Sequence, residues 1–199
     1  FFRDTAAFEA LKSQLEEIAA RKPAGEEFRV WVAGCATGEE AYSILFSLLS
    51  IFKRLGREPN LKIFASDLDQ EALAQARSGL YDEADVADLP AEMRDTYFVA
   101  NGRFVEVRKS VREMIVFARQ DLVQSPPFVR LDLVTCRNVL IYLSQNCKAG
   151  FSKFFTTPCG LTEFFTSENP NPRRPIFSPP SIARRKSFAA WIPCTEACR

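Results

Sequence analysis

Along most of the chain the apolar positions fall into two rhythms, one of spacings three and four and one of short continuous runs. Phe8, Leu11, Leu15 and Ile18 share one helical face, behind an Asp4–Thr5 pair able to cap it. Pro23 and Gly25 stop this helix near Lys22. Phe28 to Ala33 reads as a strand. A helix then runs from about Gly38 to Leu55 and ends at Gly56, with Tyr42, Leu45, Phe46, Leu49 and Phe52 inward. Leu61 to Ser66 is a second strand, and Gln70 to Arg77 a third helix stopped at Gly79. Beyond a helix-like Pro90 to Tyr97, strands are predicted at Arg103 to Val107, Met114 to Ala118 and Leu131 to Thr135. Alternating strands and helices imply an α/β fold with a mostly parallel sheet. The turn at Asn101-Gly102 makes Phe98 to Arg112 a small antiparallel insertion.

One stretch, RVWVAGCATGEEAYS from Arg29 to Ser43, organises the rest. It passes from a strand through a bend holding Gly34 and Gly38 into a helix that opens with Glu39 and Glu40. Strand, glycine bend and helix open a nucleotide-type α/β fold, and the helix start offers free N–H groups to a ligand. The spacing Gly34-x-x-x-Gly38 is not the dinucleotide pattern, and no Lys-Ser/Thr follows as in a P-loop. Acids at a helix start suit its dipole, so plain capping accounts for them. Beside such a bend, however, they repel a pyrophosphate and suit a cation. S-adenosylmethionine carries both a sulfonium and an ammonium, so the pattern tilts from dinucleotide to methyl donor.

Further polar residues stand just past predicted strand ends: Asp67, Asp121, and the pair Arg137 and Asn138. Such ends share the edge of a parallel sheet where ligands bind. Each alone reads as a loop cap. Asp67 is placed to accept both hydroxyls of a ribose, and Asp69 to cap the third helix.

Composition narrows the chemistry. The chain has 199 residues, a hydrophobic share of 47% and a net charge of +1, giving one α/β domain with a real core and no case for nucleic acid. No run reaches the roughly 18 apolar residues of a membrane span. The start, FFRDTAAFEA, reads as a cut-in without a signal peptide. There is no histidine, which excludes Ser-His or Cys-His catalysis and His-ligated metal within this chain. Six cysteines form no C-x-x-C pair, so no metal site is expected. Cys35 and Cys136 look like reduced thiols of a cytoplasmic protein.

With these residues in hand, FFRD, RVWVAGCATGEEAYSI, IFASDLDQEALAQARSGLY and LDLVTCRNVLIYL resemble the CheR-type chemotaxis receptor methyltransferases, from Phe1 to about Gln145. The wording VRKSVREMIVFARQDLVQSPPF is similar to members fused to CheB-type methylesterase and PAS segments. The resemblance implies a Rossmann-like class I methyltransferase fold. It implies methyl transfer from S-adenosylmethionine to glutamate side chains in the cytoplasmic domain of methyl-accepting chemotaxis receptors. It places Arg3 at the donor's carboxylate, Glu40 and less directly Glu39 at its ammonium end, Gly34 and Gly38 in the bend, and Asp67 at the ribose. Asp121 and Leu122 would flank the adenine, Arg137 and Asn138 line the donor pocket, and Tyr142 lie near the transferred methyl, with Arg137 also steering the substrate acid. The family's helical N-terminal domain is not part of this sequence.

Residues 146–199 break the pattern. They hold four of the six cysteines, seven of the twelve prolines, and eight basic against three acidic residues. The preceding part, with 18 basic and 22 acidic residues, is net −4. This tail reads as an out-of-frame version of the family's last strands, expected to lack regular structure, with Arg184-Arg185-Lys186 as noise rather than a nucleic-acid patch. A non-catalytic S-adenosylmethionine-binding module and a nicotinamide-dependent Rossmann enzyme remain as alternatives.

Overall fold

A computed structural model describes residues 1–2, 5–122, 124–137 and 163–165. Five parallel strands form the main sheet: β1 (Phe28–Ala33), β2 (Leu61–Asp67), β6 (Ile115–Arg119), β7 (Leu133–Cys136) and β8 (Glu163–Phe165). Their order is β6-β2-β1-β7-β8. The chain steps outward from β1 to β2 and β6, then returns to the other side of β1 to lay down β7. The crevice of this fold class opens at that reversal, between β1 and β7, at the carboxyl ends of the strands. Together with the antiparallel insertion described below, this is the Rossmann-like class I methyltransferase fold expected from the sequence.

Residues alternate across β1 with period two. Val30 and Val32 join the large core shared with the helices α1 (Thr5–Arg21) and α2 (Glu39–Arg54). Trp31 and Ala33 face the opposite side, with Leu131, Val134 and Cys136. Phe128 covers that side, edge-on to Trp31 and stacked on Phe64. Every residue of α2 from Ala41 to Leu48 is buried, because the helix is enclosed by the sheet, α1 and the insertion. Among the described residues no helix is long and apolar enough to cross a membrane.

Helix α3 (Gln70–Ser78) begins at Asp69, whose side chain accepts from the Glu71 and Ala72 N–H groups, the cap expected of it. It ends at Gly79 in the left-handed region, φ 65°. The insertion follows: β3 (Leu80–Asp82), a short 3-10 helix (Glu83–Val86), α4 (Ala91–Tyr97), β4 (Phe98–Asn101) and β5 (Phe104–Val107), with antiparallel order β3-β5-β4. The hairpin was legible at Asn101-Gly102; its third strand, β3, spans three residues and is too short to show a period. The two ends of the insertion meet where Val107 N–H donates to the Gly79 carbonyl at 2.9 Å. Arg112, closing the one-turn α5 (Lys109–Arg112), bonds both the Ser78 carbonyl and Glu106.

Three residues of the stretch expected to lack regular structure form β8, parallel to β7. The rest of that stretch, and the cap expected at Asp4, lie outside the described residues.

Candidate functional site

The glycine bend is built from the strand ends. Gly34 and Cys35 N–H both donate to the Ser66 carbonyl of β2, at 2.7 and 3.0 Å. Asp67, the last residue of β2, reaches across with one oxygen to Ala36 N–H at 2.8 Å and with the other to its own loop at Asp69 N–H, 3.0 Å. Both carboxylate oxygens therefore shape the bend, and each retains a further lone pair for a ligand hydroxyl. Ala36 sits at φ 45° and Gly38 at φ 94°, a tight reversal that delivers the start of α2 to the sheet edge.

Gly38 is required on internal grounds. A Cβ there would lie 2.8 Å from the Ala76 Cβ and 3.3 Å from both a Phe117 ring carbon and the Tyr81 hydroxyl. Its bare Cα admits helix α3 and the insertion, so the close approach made possible at this position is between parts of the protein itself.

The two acids at the start of α2 diverge. Glu39 takes the Thr37 hydroxyl on both its oxygens, at 2.8 and 2.7 Å, which is local support of the helix start. Glu40 turns inward. Its carboxylate faces Arg137, just past β7, with Nη1 3.9 Å from Oε2. The Arg137 side chain is 6% exposed and its guanidinium lies over the Phe8 ring at 4.9 Å. Burial pushes the Glu40 pKa upward, while Arg137 and then the Thr135 hydroxyl of β7 pull it back, leaving it above its ordinary 4.5. A carboxylate largely shielded from water, its side chain 21% exposed, and only partly compensated by a guanidinium is an environment that a cationic ligand improves.

The neighbouring thiol is no nucleophile. Burial first, then Asp67, pushes Cys35 up to about 12, so it stays protonated. Cys35 and Cys136 are both buried.

On the adenine side expected from the sequence, Gln120 N–H donates to the Asp67 carbonyl at 3.0 Å, which draws the end of β6 beside Asp67. Asp121 closes its own loop: its side chain accepts from Gln124 N–H at 3.2 Å and its carbonyl from Ser125 N–H at 2.9 Å. Leu122 packs against the Trp31 cluster. Phe2 N–H donates to the Ser43 hydroxyl at 3.2 Å, and Phe1 packs on Phe46, Tyr81 and Phe98, so Phe1 and Phe2 lie against the first turns of α2 and the insertion. The positions expected at Arg3, Asn138 and Tyr142 lie outside the described residues.

Gly34, Gly38, Glu39, Glu40, Asp67 and Arg137 thus gather at one sheet edge, with Asp121 and Leu122 on the loop beside it. Sequence reasoning passed over two participants. Thr135, one residue before the end of β7, could have been found by applying the strand-end argument one position earlier. Tyr81, whose hydroxyl donates to the Thr37 carbonyl at 2.8 Å, comes from the insertion and left no local signal.

Comparison with known proteins identifies the family. The family described as "CheR methyltransferase, SAM binding domain" matches residues 1–157, running past Gln145 where the motifs end. An uncharacterized 104.1 kDa protein of Rhodobacter capsulatus is 44% identical over 143 residues, 71% of this chain and 15% of that protein. A probable chemotaxis protein methyltransferase of Rhizobium etli is 34% identical, covering 73% of this chain and 56% of its own. The chemotaxis protein methyltransferase of Escherichia coli is 35% identical, covering 85% and 59%. The chain spans little more than half of the two chemotaxis relatives and a small part of the first. S-adenosylmethionine is the cofactor of this domain, and the partly compensated carboxylate of Glu40 fits its positive charge. Because the match takes in every element around the glycine bend and most of the sequence, the chain belongs to the CheR methyltransferase family.

Proposed function

We propose that this chain transfers a methyl group from S-adenosylmethionine to glutamate side chains in the cytoplasmic domain of methyl-accepting chemotaxis receptors. The observation that carries the reading is the Glu40–Arg137 corner at the strand reversal, in a chain of the CheR family. Glu40 would hold the donor's ammonium end and Asp67 its ribose hydroxyls, with Gly34 and Gly38 shaping the bend and Glu39 supporting it. Leu122 and Asp121 would border the adenine, and Arg3 and Asn138 would complete the donor pocket. Arg137 would orient the substrate carboxylate by charge, and Tyr142 would stand near the methyl.

When bound, S-adenosylmethionine supplies a methyl group activated by the sulfonium, and its departing fragment is a neutral thioether. A glutamate carboxylate is already ionised near neutral pH, so no general base is needed. That agrees with a chain without histidine and a site whose thiol stays protonated. The protein's task reduces to alignment, which can contribute about 7–11 kcal/mol where the geometry is close to that of the reaction.

The test is transfer of labelled methyl to a receptor cytoplasmic fragment, run beside titration with S-adenosylhomocysteine. Label that is released by mild base, as a carboxyl methyl ester is, supports the reading. Tight binding of the product without incorporation would instead identify a binding module that does not turn over.

A further inference from the structure

The bend around the cofactor site is held from behind by the insertion. Tyr81 stands in the middle of β3, 2% exposed, and its hydroxyl donates to the Thr37 carbonyl at 2.8 Å. That carbonyl directly precedes Gly38, and a Cβ on Gly38 would come within 3.3 Å of the same hydroxyl. The Tyr81 ring is itself fixed: Phe1 meets it edge-on at 5.0 Å and Tyr42 at 6.1 Å. Burial keeps the phenol protonated and therefore a permanent donor. The Thr37 side chain meanwhile supports Glu39. One hydroxyl thus sets the direction of the peptide between Thr37 and Gly38, and with it the start of α2 and the position of Glu40.

We propose that Tyr81 is a positioning residue for the cofactor, acting through the Thr37 carbonyl to keep the bend from Gly34 to Glu40 in its receiving form. The inference rests on that bend being the cofactor's seat. Without the hydroxyl the half-buried Thr37 carbonyl loses this donor, the bend samples other conformations, and apparent affinity falls by the fraction of time spent outside the competent one. The insertion is thereby tied to cofactor affinity: any event that shifts β3 shifts the bend.

Tyr42 supplies the control. It is equally buried, and its hydroxyl also donates to a backbone carbonyl, that of Ala76 at 2.9 Å, but on α3 rather than on the bend. Tyr81→Phe and Tyr42→Phe each delete one hydroxyl bond to a backbone carbonyl, half-buried in the first case and buried in the second, so the thermal midpoint of Tyr81→Phe should fall by no more than that of Tyr42→Phe. Titration with S-adenosylhomocysteine should show affinity weakened about five-fold or more in Tyr81→Phe alone. Hydrogen exchange of the Gly38 to Glu40 amides, measured without ligand, should quicken in Tyr81→Phe and stay at the wild-type rate in Tyr42→Phe. Equal affinity losses in the two variants overturn the proposal, as does wild-type affinity in Tyr81→Phe. A wild-type protein that binds no S-adenosylhomocysteine counts against the bend as the cofactor's seat. The exchange measurement then decides the role of Tyr81 by itself, and unchanged amide rates in Tyr81→Phe overturn it.

Discussion

Glu40 combines two properties that oppose each other, burial and charge. Because its pKa is raised in the folded protein, the folded chain holds a proton over a pH window where the unfolded chain has already released it. Stability contributed by this group is therefore greatest below the ordinary carboxylate value of 4.5 and declines as pH rises through the folded one. A cationic ligand favours the charged form, so affinity for S-adenosylhomocysteine should rise with pH across the same window and then level off. Calorimetric titration at a series of pH values should show this slope in the wild type, and lower, flat affinity in Glu40→Gln. Asp67 carries a different load, since its oxygens shape the bend before any ligand arrives. Asp67→Ala should weaken S-adenosylhomocysteine binding about a hundred-fold or more, from about 1.5–3 kcal/mol for each of two hydrogen bonds to a charged acceptor. Wild-type affinity in that variant would refute the ribose assignment. These two acids were visible in the sequence because strand ends and helix starts are places that sequence can locate. Tyr81 was not, because its partner Thr37 lies 44 positions away in the chain and only the folded insertion brings them together.

Among elements, the bend and the two helices around it depend on one missing side chain. Gly38 takes a left-handed φ and faces a Cβ fixed to helix α3, so Gly38→Ala adds an overlap of about 1–3 kcal/mol to the backbone strain. Gly102, in the β4–β5 turn, has a similarly positive φ but nothing within 4 Å of an added Cβ, so Gly102→Ala bears the backbone strain alone. At about 2–4 °C per kcal/mol for a domain of this size, thermal melts should place Gly38→Ala several degrees below Gly102→Ala. Equal midpoints would show that α3 yields. The glycine's identity could be read from the sequence, but its reason could not: a G-x-x-x-G bend invites a ligand explanation, while the atoms nearest to Gly38 belong to Ala76, Phe117 and Tyr81. Four of the five main-sheet strands, β1, β2, β6 and β7, were legible because buried parallel strands are continuous apolar runs; the three-residue β8 was not. β3 and the one-turn α5 were not, since neither is long enough to complete a period.

For the whole molecule, the order β6-β2-β1-β7-β8 follows from one reversal of direction, and the crevice follows from that reversal. The change of composition after Gln145 is the motive for proposing a frame break there. Translating the coding DNA downstream of residue 145 in the other two frames should yield family-like strands; an intact frame with no such translation would sink the frame-break proposal. The insertion leaves and rejoins the chain at a single place, where the Gly79 carbonyl meets Val107 N–H and Arg112 grips Ser78 and Glu106. Parts of a protein with adjoining roots can be exchanged wholesale while the scaffold keeps its register. Descendants of such a gene are thus free to acquire a new docking face by swapping this one cassette, provided that the replacement brings its own hydroxyl to the hinge of the bend.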